Sequence, residues 1–404
     1  MTTAVVRAEK MAAGGDAIAR LADGRVVFVR GALPLELVSV TLLSEKRDYA
    51  KAIVAEIIEP SPHRVAPPCP ELARGCGGCA WQHVAPDAQL QLKLAVVGEA
   101  LRRTGGLVDA HLRAAGAVPA WGYRTSLRLA VDPSGRAGLR ATASNRVVPL
   151  SSCAVAHPLL ASLLPTLRVR GADEVSLRVG VASGQRSAWA DGHGVAVAGL
   201  PDDVAVGPRS FVHETVAGHS LRVSAPSFFQ SGPAAAELLV TAVRESCGDA
   251  LDAGYLLDAY GGIGLFAATL GDQRVHVVEG ARSACDDAVM NLAGRDALVE
   301  CVELEQWEPC KVPLVIADPA RSGLGATVID RLVATRADRL VLVSCDPVSL
   351  ARDSRLLAER GYVHIDSQVL DLFPNTPHVE VVTRFDRLGG RFLDGGHPAM
   401  ASAP

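Results

Sequence analysis

The second half of the chain alternates apolar strands with helices, and this alternation constrains the fold more than any other feature of the 404 residues. From about residue 220, a helical stretch over PAAAELLVTAVRESC leads to the apolar strand GYLLDA, a glycine-rich turn and another helix. VHVVEG, LVIADP and VLVSCDP follow as further apolar strands. Strands separated by helices indicate a mostly parallel sheet, so we expect a Rossmann-like α/β domain over residues 221–388.

The turn after the first of these strands is a candidate cofactor site. It reads Asp258-Ala-Tyr260-Gly-Gly262-Ile-Gly264, and its glycines let a ligand approach the backbone. Glu279 ends the next strand, 21 residues after Asp258, where an acid can accept both hydroxyls of a ribose. The spacing differs from the Gly-x-Gly-x-x-Gly dinucleotide fingerprint, and both dinucleotides and S-adenosylmethionine fit it.

Cys345 ends the strand VLVSC, at the edge where open α/β sheets bind ligands. A thiol in this position is a candidate nucleophile. The alternative is that Cys345 is an inert small apolar side chain, which is the usual state of a free cysteine. The motifs around it favour the first interpretation.

Composition narrows the functional classes. Apolar residues make up 49% of the chain and charged residues 21%, which is typical of a globular protein. We find no apolar run near eighteen residues and no signal-peptide pattern at the start, so we expect a cytoplasmic protein. The net charge of −4 gives no general basic signature for nucleic acid. Nine cysteines, an odd number, argue against a disulfide framework and for metal binding or catalysis.

Residues 1–62 predict a separate small β-barrel of the OB type. The runs VVFVRGALPLELVSVTLL and YAKAIVAEIIEPS are short and β-branched, and turn residues interrupt them. Lys46, Arg47 and Lys51 could contact phosphates there. A barrel without a binding role is the alternative.

Residues 63–220 predict a central, mostly antiparallel β domain. GYRTSLRLAVDPSGRAGLR and VSLRVGVASGQRSAWA alternate as strands do. The recurring arginines, which are Arg124, Arg128, Arg136 and Arg140, fit an RNA-facing surface and a solvated sheet face equally well.

Cysteines in the central segment suggest a metal centre. Cys76-Gly-Gly-Cys79 places two thiols on a backbone that can bend around a metal, and Cys69 precedes them by seven residues. Four thiolates suit either zinc or iron–sulfur, and a fourth cysteine, Cys153, lies far away in sequence and could equally be unrelated to the other three. With all four positions filled, such a centre would be structural. The alternative is a set of unrelated buried cysteines.

Several motifs together resemble the RNA (uracil-5-)-methyltransferase family. The matching stretches are SFFQ, DAYGGIG, DPARSG, SCDPVSLARD and FPNTPHVE, and they occur in the family's order over nearly the whole chain. The stretches GRVVFVRGALPLE and PSPHRVAPPCP also resemble the RNA-binding TRAM barrel. The chain departs from these patterns at Leu35, where TRAM usually has glycine, and at Ala320, Asp346 and Ser231-Gly232.

The resemblance implies a fold and a set of site residues. It implies a Rossmann-like methyltransferase domain with an N-terminal OB-like TRAM barrel and a central antiparallel domain. Cys345 would be the nucleophile that adds to carbon 6 of uracil, and Glu380 the base that removes the proton from carbon 5. Cys69, Cys76, Cys79 and Cys153 would hold a [4Fe–4S] cluster. The residues that bind S-adenosylmethionine or orient the base would be Gln230, Asp258, Tyr260, Gly262, Gly264, Glu279 and Asp318.

The expected partner is rRNA, with tRNA as the second choice, bound by a monomeric enzyme at a single-stranded or flipped-out uridine. Two other functions compete. One is a TRAM-containing radical S-adenosylmethionine methylthiotransferase, against which the Cys-x6-Cys-x2-Cys spacing argues. The other is an inactive RNA-binding or assembly protein, against which the presence of both Cys345 and Glu380 argues. Residues 389–404 predict a disordered tail.

Overall fold

The N-terminal strands form a curled six-stranded sheet. The computed structural model describes residues 2–392, and the sheet has the order β1-β5-β6-β4-β3-β2. Its strands are β1 (Thr3–Arg7), β2 (Lys10–Met11), β3 (Ala17–Arg20), β4 (Val26–Arg30), β5 (Leu37–Glu45) and β6 (Tyr49–Glu59). Alternate residues of β3, β4 and β5 are buried, as expected for strands that curl around a small core. The predicted OB-like barrel is confirmed. Leu35 takes a positive φ of 74°, a conformation that glycine usually supplies.

A long helix joins this barrel to the rest of the molecule. The segment contains α1 (Pro70–Ala73), α2 (Pro86–Arg103) and β7 (Leu112–Ala117). Both helices have proline in the first turn, where a backbone N–H would have no partner within the helix, so its absence costs no hydrogen bond. The sequence placed β7 in the central segment, but β7 pairs in parallel with a strand of the catalytic sheet.

The central segment is mostly antiparallel, as predicted. Its main sheet has the order β10-β9-β8-β12-β13-β15, and only the β13–β15 pair is parallel. The elements are β8 (Ser126–Val131), β9 (Ala137–Arg140), β10 (Val147–Pro149), α3 (Pro158–Ala161), β11 (Arg168–Arg170), β12 (Glu174–Val179), β13 (Arg186–Trp189), β14 (Ala196–Ala198) and β15 (Val204–Val206). Three of the four arginines considered for RNA contact are paired with carboxylates: Arg128 and Arg140 with Glu174, and Arg136 with Asp132.

A hairpin leads from the central segment into the catalytic domain. It consists of β16 (Phe211–Val216) and β17 (His219–Ser224). The helices and strands that follow are α4 (Pro233–Cys247), β18 (Tyr255–Ala259), α5 (Leu265–Thr269), β19 (Arg274–Glu279), α6 (Arg282–Asn291), β20 (Ala297–Cys301), β21 (Leu314–Ala317), α7 (Gly325–Ala334), β22 (Arg339–Ser344), α8 (Pro347–Ala358), β23 (Tyr362–Asp371) and β24 (Glu380–Arg387). A 3₁₀ turn, Gly248–Ala253, separates α4 from β18.

The catalytic sheet has eight strands in the order β20-β19-β18-β21-β22-β24-β23-β7. All neighbours are parallel except at β24, which runs antiparallel to both β22 and β23. Separate apolar cores cover its two faces, which is why β21 and β22 are buried along their whole length. The predicted Rossmann-like domain is therefore confirmed.

Two details extend the sequence-based expectations. Cys285 and Cys301 form a disulfide, because the parallel pairing of β19 and β20 places Cys301 beside Glu279, just before α6 begins. The odd number of cysteines gave no reason to expect this pair.

Arg391, inside the predicted tail, binds Asp338 at 2.9 Å, and the tail from residue 393 onward lies outside the described residues. None of the helices within residues 2–392 is long and apolar enough to cross a bilayer.

A buried ion pair should stabilise the catalytic domain. Arg339 donates to Asp386 at 2.8 Å, and both side chains are almost fully buried. Arg339→Leu should therefore destabilise the domain by about 3–5 kcal/mol, because Asp386 would lose a buried partner. Thermal unfolding followed by circular dichroism measures the effect. The matched control is Arg355→Leu, since Arg355 forms an exposed pair with Glu359 worth about 1 kcal/mol or less. Equal melting temperatures for the two variants would contradict the prediction.

Candidate active site

The carboxyl edge of the catalytic sheet collects the predicted acidic residues and the thiol. Asp258 lies near the end of β18, Asp318 directly follows β21, and Cys345 directly follows β22. Because these strands are parallel neighbours, their ends meet at one edge. Glu380 reaches the same edge from the opposite direction, as the first residue of antiparallel β24.

Strand register brings the thiol and the carboxylate together. Ser344 of β22 pairs with Val381 of β24. Continuing this antiparallel register by one residue sets Cys345 opposite Glu380. Glu380 is only 4% exposed, and Cys345 is half-buried. Two residues that are 35 positions apart in sequence thus share one point of the sheet edge.

Burial and mutual repulsion raise the pKa values of the acids at this edge. Burial, together with the charges of Asp318 and Glu279, raises the pKa of Asp258 to about 7. Burial also raises the pKa of Asp318 to about 7. Burial and the charge of Asp318 raise the pKa of Glu380 well above its ordinary value, and Arg321 opposes this shift. Perturbed carboxyl groups of this kind concentrate at functional sites.

The thiol of Cys345 is strongly affected as well. Burial, followed by the charges of Glu380 and Asp318, raises its pKa to about 12. Because a free cysteine has a pKa of about 8.5, the substrate-free site disfavours the thiolate form of Cys345. The physical reason is that two carboxylates and a low-dielectric surrounding all oppose a second negative charge. A reaction that used Cys345 as nucleophile would therefore have to include the loss of its proton.

Helix α8 holds the loops on either side of Cys345 in place. Asp346 caps α8 by accepting from the backbone N–H groups of Val348 and Ser349 at 3.0 and 2.8 Å. Asp353, on the next turns of α8, accepts from Leu324 N at 2.7 Å. The motif SCDPVSLARD thus helps to hold the end of the loop DPARSG, which carries Asp318.

The glycine-rich turn forms a cradle for a cofactor. Tyr260, Gly262 and Gly264 all have positive φ, between 56° and 81°. Open space surrounds Gly262, and its N–H donates to Glu279 at 3.0 Å. Asp258 accepts from Ala267 N through one carboxylate oxygen, while its other oxygen is buried without a hydrogen-bond partner. An open turn beside an acid and an unsatisfied buried oxygen fits a ligand with hydroxyl and amino donors.

Gln230 lies on a loop that the catalytic domain holds tightly. Ser231, the next residue, donates through its hydroxyl to Leu372 O at 2.8 Å, next to the loop that leads to Glu380. Ser227 donates to the buried carboxylate of Asp287 at 2.7 Å. Gln230 itself is 5% exposed. The structure thus brings the loop that contains SFFQ against Leu372, the residue before the stretch FPNTPHVE.

The sequence did not predict three features of the loops around this edge. Phe228 is 71% exposed although it is a large aromatic side chain on the tightly held SFFQ loop. Arg321 contacts the ring of His378 at 3.2 Å, and burial together with Arg321 lowers the pKa of His378 to about 4. Arg124 stacks over Phe373 with 5.7 Å to the ring centroid. Arg321 lies in the motif DPARSG and His378 in FPNTPHVE, but nothing in these motifs indicated that the two side chains meet.

The four candidate metal ligands line one cavity. Cys69, Cys76, Cys79 and Cys153 all face it, and Trp121 and Leu139 form part of the same wall. Burial, and then the neighbouring thiol of Cys153, raises the pKa of Cys79 to about 12. Within residues 2–392, however, no three cysteine, histidine or acidic side chains are arranged as metal ligands. The donor chemistry fits a thiolate-bound centre, while a preformed ligand geometry is missing from the part of the chain described.

Comparisons with known proteins identify the family. An uncharacterised RNA methyltransferase from Streptomyces avermitilis is 35% identical, over 92% of this chain and 95% of its own. A protein from Dichelobacter nodosus named 23S rRNA (uracil(1939)-C(5))-methyltransferase RlmD is 31% identical, over 92% of this chain and 96% of its own. The chain belongs to the RNA (uracil-5-)-methyltransferase family. No family model matches it.

A solved structure shares the fold. The tRNA (uracil-54, C5)-methyltransferase of Pyrococcus abyssi, in complex with S-adenosyl-L-homocysteine, has a TM-score of 0.71 and covers 95% of this chain and 100% of its own. At 22% identity the likeness concerns the fold alone. Family and fold together confirm the predicted methyltransferase and exclude the radical methylthiotransferase alternative.

The raised pKa of Cys345 has a measurable consequence. The charge of Glu380 is one cause of this raised pKa, so Glu380→Gln should remove a repulsive charge and lower the pKa of the thiol. Alkylation of Cys345 by iodoacetamide, followed by mass spectrometry between pH 7 and 10, should be slow at neutral pH and begin at a lower pH in the variant. The control is Glu359→Gln, which changes an exposed carboxylate on the C-terminal end of α8. Superimposable pH profiles for all three proteins would exclude this electrostatic account.

Proposed function

We propose that this enzyme methylates carbon 5 of a uridine in RNA, with Cys345 as covalent nucleophile and Glu380 as general base. One observation carries the proposal. The strand pairing of β22 with β24 brings the thiol and the carboxylate to the same point of the sheet edge, where the charge of Glu380 raises the pKa of Cys345. A nucleophile and a base at one point are what addition to and elimination from a pyrimidine ring require.

Ribosomal RNA is the substrate class that we favour, with tRNA as the second choice. The D. nodosus relative is named for a uracil of 23S rRNA and is 31% identical over nearly its whole length. A second relative of that name, from Photorhabdus laumondii, is 31% identical over 96% of its own chain. The tRNA enzyme of P. abyssi is only 22% identical. We further propose that the enzyme acts as a monomer.

Cys345 begins the reaction by adding to the ring. Carbon 5 of uracil is a poor nucleophile until a group has added to carbon 6. The thiol proton of Cys345 passes to solvent, the sulfur forms a bond to carbon 6, and the electron pair of the 5,6 double bond moves into an enolate that makes carbon 5 nucleophilic. S-adenosylmethionine, when bound, supplies the methyl group that carbon 5 takes up. Arg321, which opposes the rise in the thiol's pKa, favours the thiolate that attacks.

Glu380 completes the reaction by removing the proton from carbon 5. The electron pair of that carbon–hydrogen bond restores the 5,6 double bond, the bond between carbon 6 and sulfur breaks, and Cys345 leaves as a thiolate. The raised pKa of Glu380 suits this step, because a carboxylate with a higher pKa binds a proton more strongly. Burial keeps water from competing for the same position.

Other residues would hold the two ligands. Glu279 and the open turn at Gly262 are suited to the ribose and amino acid parts of S-adenosylmethionine, and the unsatisfied oxygen of Asp258 offers an acceptor. Gln230 and Asp318 are assigned to the pocket wall, where they orient the uracil or the cofactor. The exposed face of Phe228 is available for stacking on an unpaired base. A uridine inside a duplex must flip out to reach Cys345.

We also propose that Cys69, Cys76, Cys79 and Cys153 hold a structural [4Fe–4S] cluster. The support is that all four thiols face one cavity and that thiolates are the usual ligands of such clusters. Bound metal ions would place positive charge between the neighbouring thiolates and so offset the repulsion between them. The proposal assigns no step of the reaction to the cluster.

RNA that contains 5-fluorouridine tests the function directly. Fluorine replaces the hydrogen at carbon 5 that the base would remove as a proton, so the covalent adduct cannot break down. The adduct should therefore persist and migrate as an enzyme–RNA species under denaturing conditions. Cys345→Ala should form none, while Cys310→Ala, which changes a cysteine outside the sheet edge, should form as much as the unchanged enzyme. Rapid methylation by Cys345→Ala would show that the nucleophile is elsewhere. Nucleoside analysis of rRNA and tRNA pools then distinguishes the two substrate classes.

Metal content tests the cysteine assignment. Protein purified without oxygen should contain about four irons per chain and absorb visible light. Cys79→Ser should lose most of that iron, whereas Cys310→Ser should retain it. One zinc per chain, or no metal at all, would contradict the cluster.

A further inference from the structure

The loop that carries Glu380 is held from outside the catalytic domain. It spans residues 372–379, between β23 and β24. Within the loop, Thr376 donates through its hydroxyl to Phe373 O at 2.7 Å, and His378 N donates to the Thr376 hydroxyl at 3.3 Å. Its central residue, Asn375, has a positive φ of 66°, which is uncommon for a side-chain-bearing residue. Surrounding contacts must therefore hold this conformation.

Asn375 receives those contacts from segments that precede the catalytic domain in sequence. Its N–H donates to Gln89 Oε1 at 2.6 Å, and its side-chain oxygen accepts from Gln89 Nε2 at 3.3 Å. Its carbonyl accepts from Trp81 N at 2.8 Å, and its Nδ2 donates to Ala120 O at 2.7 Å. Asn375 is 1% exposed and Gln89 is fully buried. The hydrogen-bonding groups of Asn375 are thus matched by partners that lie 255 to 294 residues earlier in the chain.

The next turn of α2 fixes the start of the same loop. Lys93 lies four residues after Gln89, on the same face of the helix. Its Nζ binds Asp371 Oδ1 at 2.6 Å and Phe373 O at 3.2 Å. Both charged groups are almost completely buried. Because removing one partner of a buried pair is strongly unfavourable, this contact allows the loop little freedom relative to α2.

The N-terminal barrel reaches the loop through the turn between β2 and β3. Trp81 donates through its indole N–H to Gly15 O at 3.1 Å. A Cβ atom on Gly15 would lie 2.7 Å from Pro377 Cβ and 2.9 Å from Trp81 Nε1, closer than real side chains allow. Gly15 therefore packs directly on Pro377, which is three residues before Glu380.

We propose that Gly15 of the barrel and Gln89 of α2 are positioning residues for the step in which Glu380 removes the proton. Through Trp81, Pro377 and Asn375 they fix the loop so that the carboxylate of Glu380 points at carbon 5. The barrel is then a part of the active-site support as well as a candidate RNA-binding module. The inference rests on the proposed role of Glu380 as base.

Two adjacent glycines provide a matched test. Gly14 and Gly15 have nearly the same φ, 95° and 97°, so alanine at either position introduces similar backbone strain. Space is open around Gly14, whereas a methyl group on Gly15 meets Pro377 and Trp81. Gly15→Ala should therefore move the barrel turn and the loop apart, and Gly14→Ala should not.

The expected result is a defect in the late step of the reaction. In the full-length enzyme with ordinary uridine RNA, Gly15→Ala should lower kcat by about tenfold, because small misplacements of a catalytic group are costly. A methylated covalent enzyme–RNA adduct should accumulate, as it should in Glu380→Gln. The KM for RNA should change less than twofold. Steady-state kinetics measures kcat and KM, and mass spectrometry measures the adduct. Gly14→Ala should match the unchanged enzyme in all three quantities.

A second pair of variants covers the case in which Gly15→Ala does not fold. Gln89→Met keeps the length of the side chain but loses its hydrogen bonds to Asn375, and it should give the same accumulation of adduct. Its control is Gln91→Met, an exposed position on the same helix.

The outcomes separate the two proposals. If Glu380→Gln accumulates the adduct while Gly15→Ala and Gln89→Met do not, the positioning role is wrong and the base assignment stands. A loss confined to KM in Gly15→Ala would also overturn it, because the barrel would then act in RNA binding alone. If Glu380→Gln itself accumulates no adduct, the base assignment fails, and the positioning role fails with it.

Discussion

The antiparallel insertion of β24 between β22 and β23 is the constraint on which the active site depends. In an all-parallel sheet, every strand would present its last residue at the carboxyl edge. Reversing one strand presents a first residue there instead, so Glu380 meets Cys345 without any long connection. The loop before β24 then has to sit at that same edge, which explains why so many contacts converge on it.

The sequence predicted those parts of the structure that depend on local pattern. Alternating strands and helices gave the α/β sheet, and the apolar run before Cys345 correctly placed the thiol just past a strand end. Glu380 came from a motif, because nothing in its immediate neighbours indicates a reversed strand. The contact of Gln89 with Asn375 and the disulfide of Cys285 with Cys301 were beyond prediction, since both depend on how distant segments pack.

The pKa shifts of the site could not be predicted from the sequence. Residue types gave carboxylates and a thiol, but only burial and proximity raise the pKa values of Asp258, Asp318 and Glu380. Because folding raises the pKa of Asp258 and of Asp318 from 3.8 to about 7, these two groups lower the stability of the folded state progressively as pH rises from 3.8 to about 7. The buried carboxyl groups at this edge therefore lower the stability of the folded protein while they suit the edge to catalysis, and a cationic ligand would reduce the repulsion between them.

The position of β7 bears on the order in which the protein can mature during synthesis. This strand, Leu112–Ala117, leaves the ribosome early and occupies the sheet edge beside β23, which begins only at Tyr362. Domains generally fold as units while the chain emerges from its N-terminal end. Here Cys345 and Glu380 cannot come together until β23 and β24 have paired between β22 and β7. A nascent or prematurely ended chain would thus contain the N-terminal barrel without the sheet edge at which Cys345 and Glu380 meet.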